Sequence, residues 1–309
     1  MGWRPDRLGD LSGTTAIVTG ANSGIGWHTA RALAEHGARV VLAVRDVEKG
    51  KIAADRIRSG VTAADVGVVH LDLASMSSVR AFGDAWAEPL DLLINNAGVM
   101  TPPKRVLTDD GFELQFGTNH LGHFVLTGML LRTLVHSRAG RVVTVSSTAH
   151  HSGKADVVDG NLGDTYEPQH AYGNSKLANL LFARELQRQF DAHQLPLVST
   201  AAHPGVAATG LVSDPQGMGA NPFLRVVAPI FLTIFTQSAE VGARATLYAA
   251  SEAEPGSFTG PGRLGESRGP IGPANLSPEA KDDKLGRRLW QISEDMTGFR
   301  YSWPSVAVG

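Results

Sequence analysis

The alternation of short apolar runs with segments of helical period most constrains the fold of this chain. Six runs rich in valine, isoleucine and leucine predict strands, at residues 14–20, 38–45, 66–73, 90–98, 140–147 and 195–205. Their hydrophobicity is nearly continuous, which is typical of strands that are buried on both faces. Segments of helical period lie between them, at 26–37, 75–87, 110–135 and 171–190. The pattern predicts an α/β fold in which a doubly wound parallel sheet carries helices on both faces.

Several residues indicate where these elements begin and end. Gly37 is a candidate cap at the end of the first helix, and Ser75 or Ser77 is a candidate cap at the start of another. A last strand is predicted at 257–264 and a last helix at 277–298.

No linker divides the chain, so residues 1–309 are predicted to form a single domain. Segment 206–236, rich in glycine, proline and apolar residues, is predicted to be an inserted substrate lid; packed core and a subunit contact are the alternatives. Its most apolar part, 223–235, contains Arg225 and Pro229 and is too short to span a bilayer. No integral membrane span is therefore expected.

The composition argues against several classes of protein. The 28 basic and 30 acidic residues give a net charge of −2 and form no long run of either sign, unlike a nucleic-acid-binding surface. The chain has no cysteine, so neither disulfides nor a cysteine-ligated zinc site can form. This composition is typical of a reducing compartment, and the N-terminal segment lacks the apolar core of a secretory signal. A cytoplasmic location is expected.

The first predicted strand leads into a glycine-rich loop, TGANSGIG at 19–26, and then into a helix. A turn of this kind lets a pyrophosphate approach the backbone and meet the positive end of the helix dipole. Tight turns that bind no nucleotide also use glycine, but the position after the first strand favours a dinucleotide. The contacts predicted in this loop are Gly20, Asn22, Ser23, Gly24, Ile25 and Gly26.

Arg45 follows the second predicted strand, where folds of this kind bind the adenosine ribose of a dinucleotide. Its forked guanidinium matches the 2′-phosphate of NADP, whereas an acidic residue would bond the 2′-hydroxyl of NAD. Asp46, next to it, is also a candidate N-cap of the following helix. NADP(H) is the favoured cofactor and NAD(H) the alternative. The purely structural interpretation of Arg45 is a solvated residue at a helix start.

Six motifs follow one another along the chain: TGxxxGIG, NNAG at 95–98, Asn119, Ser147, a YxxxK pair at Tyr172 and Lys176, and HPG at 203–205. In this order they resemble the short-chain dehydrogenase/reductase family. The segments TNHLGHF, VSSTAHHSGK, AYGNSKLANLLFARELQ and LWQISEDMTG are similar to its retinol-dehydrogenase-like branch. The resemblance covers roughly residues 12–300. It implies a Rossmann-like domain with oxidoreductase activity.

The resemblance implies a catalytic set of Asn119, Ser147, Tyr172 and Lys176. Tyr172 would be the acid/base that exchanges a proton with the substrate oxygen. Lys176, one helical turn away, would bind the nicotinamide ribose and, with an oxidised nicotinamide, lower the pKa of the tyrosine. Ser147 would hydrogen-bond the substrate oxygen, with Ser146 as its competitor. Asn119 would hold a water that leads to the lysine, or else only cap a helix kink.

The resemblance also implies further contacts with the dinucleotide. These are Asp72 and Leu73 beside the adenine, Asn96, Ala97 and Gly98 along the central strand, and Pro204, Gly205, Val206 and Thr209 beside the nicotinamide, with Tyr172 and Lys176 contacting it as well. Two positions depart from the family. Ala207 stands where the family often has valine, and Trp27 stands where the branch often has a polar or basic residue. Trp27 would either crowd the phosphate pocket or face the core.

Five histidines raise the question of a metal site: His120, His123, His150, His151 and His203. No acidic or cysteine partner stands at ligand spacing from the first two. Hydrogen-bonded core or surface histidines are therefore favoured, and no metal is predicted.

The features together predict an NADP(H)-dependent carbonyl reductase, reversible as an alcohol dehydrogenase, that acts on a bulky, hydrophobic ketone or aldehyde. The alternative is a catalytically silent NADP(H)-binding regulator or scaffold of the same fold, although such proteins commonly lose one of the four catalytic residues. A sugar-nucleotide epimerase or dehydratase would prefer GxxGxxG in the first turn, which is absent. The assembly is left open between a homodimer and a homotetramer.

Overall fold

An eight-stranded sheet organises the protein, whose computed structural model describes residues 3–137, 139–160, 163, 166–205 and 238–304. The strands lie in the order β3-β2-β1-β4-β5-β6-β7-β8. The first seven are parallel, and β8 is antiparallel to β7. Their bounds are β1 Thr15–Thr19, β2 Arg39–Val44, β3 Val66–His70, β4 Leu92–Asn95, β5 Arg141–Val145, β6 Val198–Ala202, β7 Phe258–Arg263 and β8 Arg268–Pro273.

The central strands are buried on both faces, which explains their continuous hydrophobicity. Ile17 of β1 and Leu93 of β4 belong to one hydrophobic cluster, whereas their neighbours Val18 and Ile94 belong to a second cluster. Successive side chains of a strand point to opposite faces of a sheet. The sheet therefore separates two cores, and both must be apolar.

Helices cover both faces. Their bounds are α1 Gly24–Glu35, α2 Val47–Gly60, α3 Met76–Ala85, α4 Leu114–Phe116, α5 Gly122–Val135, α6 Pro168–Ala192, α7 Ala239–Ser251 and α8 Asp283–Thr297. A π-helical turn, Gly117–Leu121, joins α4 to α5. Residues of α1, α2 and α7 pack into one cluster, and residues of α3, α5, α6 and α8 pack into the other. The fold is the predicted Rossmann-like, doubly wound α/β arrangement.

Several predicted ends are observed. Ser75 is the N-cap of α3, and its hydroxyl accepts a hydrogen bond of 3.3 Å from the Ser78 N–H. Ser77 lies within that helix. Gly37 follows the last residues of α1 with a φ of 91°, a conformation that favours glycine.

Three elements escaped the sequence prediction: α2, α7 and β8. The predicted lid at 206–236 lies outside the described residues, so its structure adds nothing to that prediction. In the part of the chain that the structure describes, no helix combines the length and apolar character needed to cross a bilayer.

Candidate active site

The predicted site residues gather at the carboxyl ends of the parallel strands. The chain passes from β3, on one side of β1, to β4, on the other side. Strand connections diverge at such a point and leave a crevice in which α/β proteins bind ligands. The glycine loop follows β1, Asn96 follows β4, Ser147 follows β5 and Gly205 follows β6.

The two neighbouring serines after β5 have different surroundings. The Ser146 hydroxyl is buried and donates to the Lys176 carbonyl at 2.8 Å, so it ties β5 to α6. Ser147 accepts a bond of 3.2 Å from the Ala149 N–H at the start of a 3-10 helix, and its hydroxyl hydrogen-bonds the Tyr172 side chain. The structure thus brings Ser147, and not Ser146, to the tyrosine.

Tyr172 and Lys176 lie one turn apart on α6, and the lysine Nζ is 5.7 Å from the centroid of the tyrosine ring. Lys176 is 5% exposed, and its Nζ donates to the Val145 carbonyl at 3.3 Å. Burial lowers the pKa of Lys176 to about 8. That carbonyl lies at the end of β5 and also accepts a bond of 3.0 Å from the Asn179 amide.

Burial raises the pKa of Tyr172 to about 12, and the hydrogen bond with Ser147 offsets only part of this effect. The direction is opposite to the one expected from a lysine neighbour. The physical reason is that desolvation of the phenolate outweighs the attraction of an ammonium that is directed at the Val145 carbonyl. The protein's own groups therefore keep Tyr172 protonated at neutral pH.

Asn119 is fully buried in the π-helical turn and holds two other elements in place. Its Oδ1 accepts from the Val99 N–H at 2.8 Å, and its Nδ2 donates to the Val99 carbonyl at 3.0 Å and to Ser175 Oγ at 2.9 Å. The Ser175 hydroxyl donates in turn to the Tyr172 carbonyl at 2.8 Å. Both Nδ2 hydrogens of Asn119 and one lone pair of its Oδ1 are thus engaged in fixing the backbone around the tyrosine.

Gly98 lies where the asparagine and the lysine meet. A Cβ atom at this position would be 3.1 Å from Asn119 Oδ1 and 3.5 Å from Lys176 Nζ. The first distance is tighter than ordinary van der Waals contact, so a side chain would press on Asn119, a member of the predicted catalytic set. Glycine keeps that space free.

The glycine loop forms a close-fitting cradle against the segment after β4. Gly20 and Gly24 have φ angles of 65° and 57°. A Cβ on Gly20 would be 2.9 Å from the Cα of Ala97, and a Cβ on Gly26 would be 2.5 Å from Asn96 Nδ2. The Ser23 hydroxyl, at the N-cap of α1, caps none of the described first-turn amides. A helix N-terminus without a side-chain cap, behind a glycine-rich loop, fits the pyrophosphate of a dinucleotide.

Arg45 and Asp46 differ in the hydrogen bonds and ion pairs that their side chains form. Asp46 is the N-cap of α2, accepting from the Lys49 N–H at 3.0 Å and pairing with Lys49 Nζ at 3.1 Å. Arg45 is exposed at the end of β2, and its guanidinium forms no hydrogen bond or ion pair with the described residues. The N-cap interpretation of Asp46 is confirmed, and the contact of Arg45 with the cofactor stays a prediction.

Trp27 is not part of the cradle. It is buried between α1 and α2, where its indole N–H donates to the Ala53 carbonyl at 3.0 Å. The Arg56 guanidinium lies 4.6 Å from the centroid of its ring. Of the two interpretations of this unusual residue, the structure supports the one in which it faces the core.

The remaining predicted cofactor contacts are distributed around the crevice. Asp72 Oδ1 accepts from the Ala74 N–H at 2.9 Å, and Leu73 is buried, with its carbonyl 2.5 Å from where a Cβ on Gly122 would lie. Asn96 Nδ2 donates to the Thr19 carbonyl at 2.8 Å. Val206 and Thr209, as well as the atypical Ala207, lie outside the described residues.

Gly205 lies in the turn that follows β6. It has a φ of 72°, and its N–H donates to His203 Nδ1 at 3.2 Å. His203 is buried, and its Nε2 lies 3.4 Å from the Glu266 carboxylate. The histidine ring thus fixes the turn that contains Pro204 and Gly205.

The buried histidines are core residues with hydrogen-bond partners. His120 contacts Ser293 Oγ at 2.8 Å, and His150 contacts the Ser147 carbonyl at 2.7 Å. Burial lowers the pKa of His120 to about 3 and that of His150 and His203 to about 4, so each is neutral. Among the described residues, no group of three or more histidine, aspartate or glutamate side chains could hold a metal ion.

Two further residues, Thr19 and His123, form part of the site and were missed at the sequence level. The Thr19 hydroxyl accepts from the Asn96 and Ala97 N–H groups, both at 2.9 Å, and contacts His123 Nε2 at 2.9 Å. The available signal was a histidine four residues after Asn119, in the first turn of a mostly apolar helix.

Comparisons of the sequence and the structure with known proteins agree with the family resemblance of the motifs. A family model described as short chain dehydrogenase matches residues 14–216. Retinol dehydrogenase 13 of Homo sapiens is 41% identical over 300 residues, which cover 96% of this chain and 87% of that protein. Polyprenol dehydrogenase of Mus musculus is 40% identical over 304 residues, with 96% and 87% coverage. An uncharacterized protein from Mycobacterium Paratuberculosis has a crystal structure with a TM-score of 0.80 at 42% identity, covering 98% of this chain and 100% of that one.

Proposed function

Because the chain belongs to the short-chain dehydrogenase/reductase family and is an oxidoreductase of the retinol-dehydrogenase-like kind, we propose that it transfers a hydride between NADP(H) and a bulky, hydrophobic ketone or aldehyde, or the corresponding alcohol. The observation that carries this proposal is the meeting of Ser147, Tyr172 and Lys176 at the strand ends, beside the glycine cradle.

Each residue has a role that follows from its surroundings. A bound nicotinamide dinucleotide supplies or accepts the hydride. Tyr172 holds a proton at its Oη, because burial raises its pKa to about 12, and donates it to the substrate oxygen during reduction. Ser147, which already bonds the Tyr172 side chain, orients that oxygen. Lys176 favours the phenolate that remains and would hold the ribose of a bound nicotinamide.

The preference for NADP(H) rests on the two residues after β2. The exposed guanidinium of Arg45, which pairs with none of the described residues, matches the geometry and charge of a 2′-phosphate. The Asp46 carboxylate is engaged by Lys49 and is less able to accept a bond from the 2′-hydroxyl of NAD. NAD(H) is the alternative.

The substrate class rests on two observations. The named relatives include dehydrogenases of retinol and of polyprenol, which are apolar alcohols. Segment 206–236 is rich in large apolar residues, among them Phe223, Leu224, Val226, Val227, Ile230, Phe231, Leu232 and Phe235, and we propose that it forms the substrate lid. A cytoplasmic location and a homodimeric or homotetrameric assembly of one domain stay predictions.

The test is to follow NADPH and NADH oxidation with a panel of hydrophobic aldehydes and ketones, next to a fluorescence titration of both nucleotides. We expect turnover with NADPH and a higher kcat/KM than with NADH. A preference for NADH would contradict the role of Arg45 and leave the catalytic set intact. Tight NADPH binding without turnover across the panel would favour the alternative function, a silent regulator or scaffold.

A further inference from the structure

His123 is a buried titratable residue to which the proposed chemistry assigns no role. It lies at the start of α5, one turn after Asn119, and is 0% exposed. Its Nδ1 is 2.9 Å from the Asn119 carbonyl oxygen, and its Nε2 is 2.9 Å from Thr19 Oγ1. Both ring nitrogens therefore have a partner, and the two partners belong to different elements.

The hydrogen-bond partners determine where the proton of this imidazole lies. A carbonyl can only accept, so Nδ1 carries the proton that is donated to Asn119. The Thr19 hydroxyl already accepts from two backbone N–H groups, which use both of its lone pairs. Its own proton is therefore given to an acceptor, and His123 Nε2 at 2.9 Å is closer than the Ile94 carbonyl at 3.3 Å.

This hydrogen-bond arrangement does not accommodate the doubly protonated form of His123. It would direct an N–H of Nε2 at a hydroxyl that has no free lone pair. Burial is the main cause that lowers the pKa of His123 to about 4. The positive charge of Lys176 lowers this pKa further, because it disfavours a second cation nearby. His123 is thus a neutral imidazole with one defined tautomer.

The two ends of this bridge are functionally distinct. Thr19 is the last residue of β1, directly before Gly20, and it holds the N–H groups of Asn96 and Ala97 against the glycine cradle. Asn119 holds Val99 and Ser175 beside the catalytic pair. The histidine is the buried side chain that joins the first group to the second.

We propose that His123 is a positioning residue that fixes the nucleotide cradle and the catalytic asparagine relative to each other by bridging the Thr19 hydroxyl and the Asn119 carbonyl. The inference rests on the proposed function, because it assigns one end of the bridge to nucleotide binding and the other to turnover. It adds a residue to the site that acts through Thr19 and Asn119 and does not touch the substrate.

Two amide variants separate the two bonds. In His123→Asn the shorter amide can still donate from the position of Nδ1 to Asn119 and loses the bond to Thr19. In His123→Gln the longer amide can still accept from Thr19 and loses the bond to Asn119. We expect His123→Asn to raise the Kd for NADPH about fivefold with a smaller change in kcat, and His123→Gln to lower kcat about fivefold with a smaller change in Kd, the scale of one buried hydrogen bond.

Variants of Thr19 check the same bridge from its other end. Thr19→Val removes the hydroxyl at nearly constant shape and should raise the Kd for NADPH at least as much as His123→Asn. The double variant should match Thr19→Val alone, because both changes remove one shared bond. Thr19→Ser keeps a hydroxyl at this position, so most of the increase in Kd that Thr19→Val causes should be absent. Independent, multiplicative effects of the two changes would overturn the proposal.

A measurement without nucleotide or substrate keeps this inference separate from the proposed function. Long-range nitrogen NMR of the histidine-labelled protein should show a neutral Nδ1–H tautomer for the signal that is lost in His123→Asn. The opposite tautomer, or a protonated ring at pH 7, would overturn the bridge even in an active enzyme. If the parent protein shows the tautomer but neither binds nor turns over nucleotide, the proposed function fails and the bridge stands as a structural feature. A further outcome is an active parent in which both amide variants show equal losses of NADPH affinity and of kcat, together with lowered melting temperatures. That result would show that His123 only stabilises the fold, and it would overturn the positioning role.

Discussion

At the scale of single residues, Lys176 carries a cost in stability that its position imposes. Its ammonium is buried, and its Nζ donates to one carbonyl, that of Val145. Burial of a charge destabilises a protein unless a partner compensates it. The lowered pKa of this lysine is the measure of that cost, since a pKa shift is also a difference in folding free energy.

Replacement of this lysine should therefore stabilise the protein while it abolishes turnover. We expect Lys176→Met to raise the free energy of unfolding at pH 7 by roughly 2 kcal/mol, because it removes the buried charge and leaves the Val145 carbonyl with Asn179 as its partner. Urea denaturation of both proteins measures this difference.

The pH dependence of that difference has a definite sign. Between about 8 and 10.5 the native lysine is neutral and the unfolded lysine is still protonated, so the unfolded state binds more protons and the parent gains stability as the pH rises. The advantage of Lys176→Met should shrink over this window. A variant that is less stable than the parent at pH 7 would show that the ammonium is well compensated.

Arg45 allows a second prediction at this scale. Arg45→Ala should raise the Kd for NADPH about tenfold and change the Kd for NADH less than about twofold, because only NADPH carries the charge that the guanidinium pairs with. Thermal shifts with the two nucleotides, combined with fluorescence titration, measure both values. Arg4→Ala, at an exposed arginine before the first strand, is the control. An equal loss for both nucleotides would contradict the assignment.

The residues of the site were predictable to different degrees from the sequence. Tyr172 and Lys176 share one helix turn, so their proximity follows from spacing alone. The choice between Ser146 and Ser147 depends on which hydroxyl faces α6 backbone, and the bond between Thr19 and His123 joins residues 104 positions apart. Contacts of this range depend on how strands and helices pack, which no local pattern encodes.

At the scale of secondary structure, the start of α1 combines a helix with the predicted nucleotide-binding loop. Alanine is normally preferred to glycine inside a helix by about 1 kcal/mol. At Gly26 this preference is reversed, because a Cβ would be 2.5 Å from Asn96 Nδ2 and 2.7 Å from the Gly20 carbonyl. At Gly26 the chain needs glycine for close approach, whereas Gly20 and Gly24 also have positive φ angles.

The expected result is that Gly26→Ala lowers the free energy of unfolding by more than about 1 kcal/mol and weakens NADPH binding. Gly60→Ala, at the last residue of α2, is the matched control, since a Cβ there meets no atom within 4 Å. It should be neutral or stabilise by up to about 1 kcal/mol. Urea denaturation compares the two, and a stable Gly26→Ala that binds NADPH normally would refute this account of the loop.

The elements that escaped prediction share a physical cause. The buried face of α2 consists of Gly50, Ala53, Ala54 and Ile57, and that of α7 is mostly glycine and alanine. Small residues permit close packing against the sheet but give a weak apolar period. The last strand, β8, has two glycines and two prolines in six residues, which is tolerated only at a sheet edge.

At the scale of the whole molecule, the sheet order explains why widely separated motifs form one site. The strands β1, β4, β5 and β6 are neighbours, so the segments after them meet at one edge. The parallel sheet was predictable because both of its faces are buried, and this makes the strand runs apolar throughout. The order of the strands was not predicted, because it depends on how the strands pair across the sheet, which no local pattern encodes.

The most direct test of the central claim is the reductive kcat/KM with NADPH for Tyr172→Phe. The control is Tyr248→Phe, which removes the hydroxyl of a tyrosine that lies on α7 and packs against Trp3. The change at Tyr172 removes the proton donor and leaves the ring, so we expect kcat/KM to fall at least about a hundredfold while the Kd for NADPH stays within a few fold. Tyr248→Phe should remain close to the parent. A Tyr172→Phe enzyme that keeps its kcat/KM would contradict the assignment of this tyrosine as the acid/base.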